Sequence, residues 1–148
     1  MNKPEYKDVC DFENLYQAAV ETIQDKKLYP EELHFGNNLE EELIKIQNDL
    51  IWHTYKPCEY CYFYVYDPKE RLICAPSLRD RVVQSALCRV LERYIEPRFD
   101  FDSYACRKGK GTLAAANRAA SFAKNYTYYA YFDIKGFFDN IPVLPLEQ

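Results

Sequence analysis

The chain has 148 residues, 48% apolar and 28% charged, which excludes a disordered chain and suits one domain with a real core. No apolar run is long enough to span a bilayer. The start, MNKPEYKDVCDFENL, lacks the apolar stretch of a signal peptide, so a soluble cytoplasmic protein is expected. The net charge of −4 argues against a nucleic-acid partner only until it is divided: residues 1–66 carry 6 Lys/Arg against 13 Asp/Glu, residues 69–124 carry 12 against 6. Solvated helix faces would give the same asymmetry, but the basic stretch could also meet phosphate.

In chain order, DFENLYQAAVETIQDKK places Phe12, Leu15, Tyr16, Ala19 and Ile23 on one helical face, with Asp11 as the N-cap. HFGNN reads as a loop. NNLEEELIKIQNDLIW repeats the helical spacing with Leu39, Leu43, Ile46 and Leu50, capped by Asn38 with Glu41 three residues on. The period then changes. In CEYCYFYVYDPKERLICAP, Tyr60, Tyr62, Tyr64 and Tyr66 alternate with Cys61, Phe63 and Val65, a strand pattern. DPKE (67–70) is a turn, RLICA the return strand, and Lys69 and Arg71 sit at the tip of the resulting hairpin.

SLRDRVVQSALCRVLERYIEP is the strongest helix, with Val83, Leu87, Val90, Leu91 and Tyr94 as its buried stripe. Ser77 caps it, Asp80 is its third residue, and Pro97 ends it. FDFDSYACRKGKG is an irregular loop and TLAAANRAASFAK a helix. TYYAYFDI (127–134) reads as a strand with Tyr128, Ala130, Phe132 and Ile134 on its packed side, and KGFFDNIP as a turn. The order α-α-β-β-α-loop-α-β makes an α+β fold. Six cysteines include one close pair, Cys58 and Cys61. A structural zinc site needs four ligands, so buried, reduced thiols are expected.

Three features could carry chemistry. Asp133 closes its strand just before a glycine, where a carboxylate can reach a metal; read alone, the pattern favours an aspartate capping the turn through Gly136. Lys69 and Arg71 can clamp a triphosphate, or be an ordinary solvated turn. Arg107, Lys108 and Lys110 lie among small residues that let backbone amides approach phosphate, or form a plain basic loop. The spacing is not that of a Walker A loop.

Taken together and in order, these segments resemble the N-terminal part of a bacterial reverse transcriptase over roughly residues 12–142. DPKERLICAPSLRDRVVQSAL is similar to the fingers hairpin and following helix of retron, group II intron and diversity-generating retroelement enzymes. SYACRKGKGTLAAA resembles the second conserved block, and FDIKGFFDNIP motif A of the palm. The resemblance implies fingers over 1–126 and the start of the palm over 127–148.

Its implications for single residues are equally specific. Asp133 matches the first catalytic metal ligand, for Mg²⁺, with the Ile134 carbonyl as companion. Phe138 matches the aromatic gate against a ribose 2′-hydroxyl, while Phe137 packs inward. Arg71, with Lys69 beside it, matches the arginine over the incoming dNTP, and Arg107, with Lys108 and Lys110, the block that contacts nucleic acid. RNA template and DNA primer are the implied partners, and an unpaired strand edge implies possible self-association.

The chain has no Asp-Asp pair of the kind the family uses for its second carboxylate cluster. It is therefore expected to be a fragment inactive by itself, with RNA-directed DNA synthesis the activity of the full-length parent. The alternative is a non-catalytic RNA-binding or oligomerising module that keeps the fingers fold. Gln84 stands where the diversity-generating branch often has histidine, which leaves the branch open.

Overall fold

The structure, a computed structural model, describes residues 4–24, 30–137 and 140–141. Helix α1 (Tyr6–Val9) leads into α2 (Phe12–Ile23), whose N-cap Asp11 accepts from the Asn14 amide at 3.1 Å. Helices α3 (Pro30–Asn37) and α4 (Leu39–Ile51) follow, then strands β1 (Cys61–Val65) and β2 (Arg71–Ala75), then α5 (Leu78–Ile95) with a 3₁₀ turn at Glu96–Arg98. Helix α6 (Thr112–Asn125) closes the described elements. The chain divides into two compact units, Met1–Phe99 and Asp100–Gln148.

In the first unit α2 packs against α5 and α4, burying Leu15, Ala18, Ala19, Leu43, Ile46, Leu50, Leu78, Val82 and Ala86. The small residues Ala18, Ala19 and Ala86, each wholly buried, let the helices approach closely. Polar side chains tie the helix ends. Asn14 donates to the Ala86 carbonyl at 3.1 Å, Gln47 to that of Cys10 at 2.9 Å, and Tyr6 to that of Leu50 at 2.9 Å. The described residues thus form helices and an antiparallel two-stranded sheet, an α+β arrangement.

The hairpin pairs as the alternation predicts, with Tyr62 opposite Cys74, Phe63 opposite Ile73 and Val65 opposite Arg71. Directly opposed residues share a face. One face therefore carries Tyr62, Tyr64, Leu72 and Cys74, the other Cys61, Phe63, Val65, Arg71, Ile73 and Ala75.

Several sequence expectations need correction. HFGNN is not a loop: residues 34–37 are the last turn of α3, held because Phe35 enters the core. Asn38 precedes α4 but makes no cap bond; its amide turns back to the His34 carbonyl at 3.0 Å. The stripe of α5 is rotated. Val90 is buried as expected and Val83 packs against the core, but Leu78, Val82 and Ala86 complete the buried flank and Leu87 is exposed, because α2 sets which flank of an apolar-rich helix is covered. Five of the six thiols are exposed and only Cys10 is buried: Cys58, Cys61 and Cys74 lie on or beside the uncovered hairpin, Cys88 on the open side of α5 and Cys106 in the basic loop.

The second unit corrects the last expected element. Residues 128–134 form no strand, and Tyr128, Tyr129, Tyr131 and Phe132 are all more than 80% exposed. A strand exists by its ladder, and among the described residues this unit holds no second strand to pair with. The side expected to pack is as open as the other. Phe137, expected to point inward, is 49% exposed.

Candidate nucleotide- and nucleic-acid-facing elements

In the first unit the hairpin grows from a polar clamp. Ser77, the N-cap of α5, accepts from the Asp80 amide at 3.1 Å, the usual way to satisfy a helix's first free donors. The Asp80 side chain then does something a plain cap does not. Its carboxylate, only 2% exposed, accepts from the Tyr55 hydroxyl at 2.5 Å, the Cys58 amide at 2.9 Å and the Ser77 hydroxyl at 2.8 Å. Burial alone would raise this carboxyl, but the bonds from Tyr55, Ser77 and Cys58 together outweigh it and hold Asp80 below the ordinary carboxylate value. Burial, and then the bond to Asp80, push the Tyr55 hydroxyl far up.

Arg79 adds a second brace. Its guanidinium donates to Asp49 at 2.5 Å and to the Lys56 carbonyl at 3.4 Å, and lies 4.9 Å from the centre of the Tyr55 ring. Arg81 pairs with Glu32 of α3. Around these groups, Phe35, Phe63, Ala75, Pro76 and Leu78 help line a cavity of about 760 Å³ under one face of the hairpin.

At the far end of the hairpin the side chains of Lys69 and Arg71 are exposed and make no ion pair or hydrogen bond among the described residues. The contrast with Arg79, Arg81 and Arg89, each ion-paired to a carboxylate, is direct. Arg71 opens β2 opposite Val65 and so shares the face of Phe63, away from the tyrosines.

In the second unit the basic loop is ordered by its own cations. Arg107 donates to the carbonyls of Asp100 at 2.8 Å and Ser103 at 2.9 Å. Lys110 donates to the Phe101 carbonyl and sits 4.2 Å from that ring's centre. Cys106, Gly109 and Gly111 take positive φ; at Gly111, with φ 116° and ψ −176°, only glycine is comfortable. Asp102 receives Arg118 of α6 through two bonds, at 2.8 and 3.2 Å, and the Tyr104 hydroxyl at 3.0 Å. The Arg118 bonds hold the Asp102 carboxyl below its ordinary value. Lys108 stays exposed and unpaired among the described residues.

Asp133 and Ile134 lie in the exposed segment before Gly136, whose φ of 61° forms the turn expected there. Phe138 lies outside the described residues. Among the described residues no three His, Cys, Asp or Glu side chains gather into a group able to hold a metal ion. One exposed carboxylate and a backbone carbonyl are part of a metal centre, not a whole one, so these residues do not by themselves fit a Mg²⁺ site. Sequence reasoning missed Tyr55, Asp49 and the tertiary role of Asp80; the only signal present was the Ser77-x-x-Asp80 spacing, which reads as a cap.

The turn, β2, α5, the basic loop, α6 and the Asp133 segment all fall within one contiguous match. Residues 67–148 match the family described as reverse transcriptase (RNA-dependent DNA polymerase). The chain belongs to that family. No curated protein matches it. Reverse transcriptases are nucleotidyltransferases that join dNTPs on an RNA template, and they use divalent metal. In this member no helix among the described residues is long and apolar enough to cross a membrane.

Proposed function

We propose that this chain is the nucleotide- and template-facing front of a bacterial-type reverse transcriptase, with fingers over 1–126 and the start of the palm over 127–148. The observation that supports it most is the hairpin tip. Lys69 and Arg71 are held out on a braced hairpin with their charges uncommitted, at the place where the family binds the triphosphate of an incoming dNTP. Arg71 supplies a planar fork for phosphate oxygens and Lys69 a point charge. Lys108 is the free cation of the loop that faces nucleic acid, while Arg107 and Lys110 shape that loop and add to its positive field.

On this reading Asp133 contributes one carboxylate to the family's metal centre, with the Ile134 carbonyl beside it, and Phe138 guards the sugar. Two-metal phosphoryl transfer needs a further carboxylate set, so the 148-residue chain binds substrates without polymerising them. The metal of the full-length enzyme's completed centre is Mg²⁺, the partners are RNA template and DNA primer, and the setting is the bacterial cytoplasm.

The test is dTTP binding. The chain should bind dTTP saturably, and Arg71→Ala should weaken binding about tenfold, the scale of one charge-assisted hydrogen bond pair. Affinity unchanged by both Arg71→Ala and Lys69→Ala overturns the assignment and favours a non-catalytic module.

A further inference from the structure

One carboxylate holds both legs of the hairpin. Cys58 precedes β1 and Ser77 follows β2, and both donate to Asp80 Oδ2, at 2.9 and 2.8 Å. Tyr55, on the segment that leads to β1, donates to Oδ1 at 2.5 Å. An ordinary capping box turns the third helical residue back to its own cap amide; here that side chain reaches a segment 22 to 25 residues away.

Apart from the Arg79 brace on Asp49 and the Lys56 carbonyl, little else fixes the direction in which the hairpin leaves the body. Every residue of β1 is exposed, and those of β2 are exposed or half-buried. Beneath the face of Phe63 and Ala75 lies the cavity of about 760 Å³ rather than a packed layer. A close-packed contact would resist tilting; a cavity does not.

We infer that Asp80 is a positioning residue for the nucleotide-facing tip, clamping both hairpin legs so that Lys69 and Arg71 are held in one place. The inference rests on the assignment of that tip to triphosphate. The lever is long. Ser77 lies six residues on from Arg71, about 20 Å of extended chain at roughly 3.3 Å per residue. A tilt of about 10° at the base moves Arg71 by roughly 3.5 Å, more than a hydrogen bond to phosphate tolerates. The clamp thus converts a buried side chain with no access to the ligand into control over the ligand's contacts.

Asp80→Asn keeps the shape but leaves one acceptor oxygen where there were two. Hydrogen exchange and dTTP titration are measured on the same proteins. In Asp80→Asn, amides of 61–75 should exchange at least tenfold faster while those of 82–90 and 43–50 keep their rates. dTTP affinity should fall about tenfold. Tyr55→Phe, which removes one donor and leaves the carboxylate, should shift both readouts in the same direction by less; it carries the test alone if Asp80→Asn does not fold.

Unchanged hairpin exchange in the variants overturns the clamp. Faster exchange with dTTP affinity intact, where Arg71→Ala weakens binding about tenfold, makes Asp80 a structural anchor only and overturns positioning. Arg71→Ala and Lys69→Ala both without effect on dTTP overturn the tip assignment and the positioning role with it, and the exchange rates then report separately on the clamp.

Discussion

Tyr55→Phe removes one atom from the clamp and should show what that atom contributes. The ring remains, with its Arg79 contact at 4.9 Å, and Asp80 keeps the Cys58 and Ser77 donors. What is lost is a hydrogen bond to a charged group, worth about 1.5–3 kcal/mol. Tyr55 is only half-buried, so water reaches part of the vacated space and the low end applies. The expected loss is about 1.5 kcal/mol, or a fall in Tm of roughly 6–12 °C for a unit of this size.

The dependence on pH is a sharper check. Asp80 is held below its ordinary carboxylate value in the fold, so its contribution is complete above about pH 4, the unfolded value, and is lost as pH falls through the lower folded one. The gap between wild type and Tyr55→Phe should therefore hold from pH 6 to 8 and close in strong acid. Tyr55 is displaced upward, so its contribution is complete below about pH 10 and lost as pH rises beyond that. Urea unfolding at several pH values supplies the data. A gap below about 0.5 kcal/mol at neutral pH, or one that persists unchanged in strong acid, refutes a carboxylate-centred clamp.

Short RNA should bind weakly and with strong salt dependence; Arg107→Ala combined with Lys110→Ala should flatten that slope, and Lys108→Ala alone should lower it by about one. A slope unmoved by all three substitutions removes the loop as the contact. Primer extension on an RNA template with Mg²⁺ should not exceed that of Asp133→Ala, and incorporation clearly above that control would show a complete centre. The exposed aromatic segment at 128–134 should drive association as concentration rises, because unpaired extended chain invites another copy. Light scattering that reports a monomer over a broad range of concentration would count against it.

Where a periodic pattern and its surroundings agreed, the sequence was legible. The caps Asp11 and Ser77, the ends of the hairpin and the exposed cations at its tip followed from local chemistry. Helix α3 did not, because its spacing is thin and its support is tertiary: Phe35 in the core and Glu32 on Arg81. The stripe of α5 was ambiguous since Leu78, Val82, Val83, Leu87, Val90 and Leu91 spread over more than half of its circumference, and only the position of α2 decides which flank is buried. The segment at 127–134 alternates like a strand, yet alternation names a face and not a neighbour. In the candidate site, the exposed tip position of Arg71 could be read from DPKE, whereas the Asp80 hydrogen bonds could not, because their partners are distant in sequence and one of them is a backbone amide.

The distribution of thiols makes the protein its own clock. Cys58, Cys61, Cys74, Cys88 and Cys106 are open to a reagent, while Cys10 is 6% exposed and sits in the core cluster. Burial pushes the Cys10 thiol up, against a smaller pull down from its bond with Tyr6, so little of it is thiolate even when a reagent arrives. A thiol-specific label should therefore be taken up in two phases, five equivalents promptly and one at the rate at which the helical body opens. The amplitude of the slow phase counts intact molecules and its rate measures how often they breathe, with no residue changed.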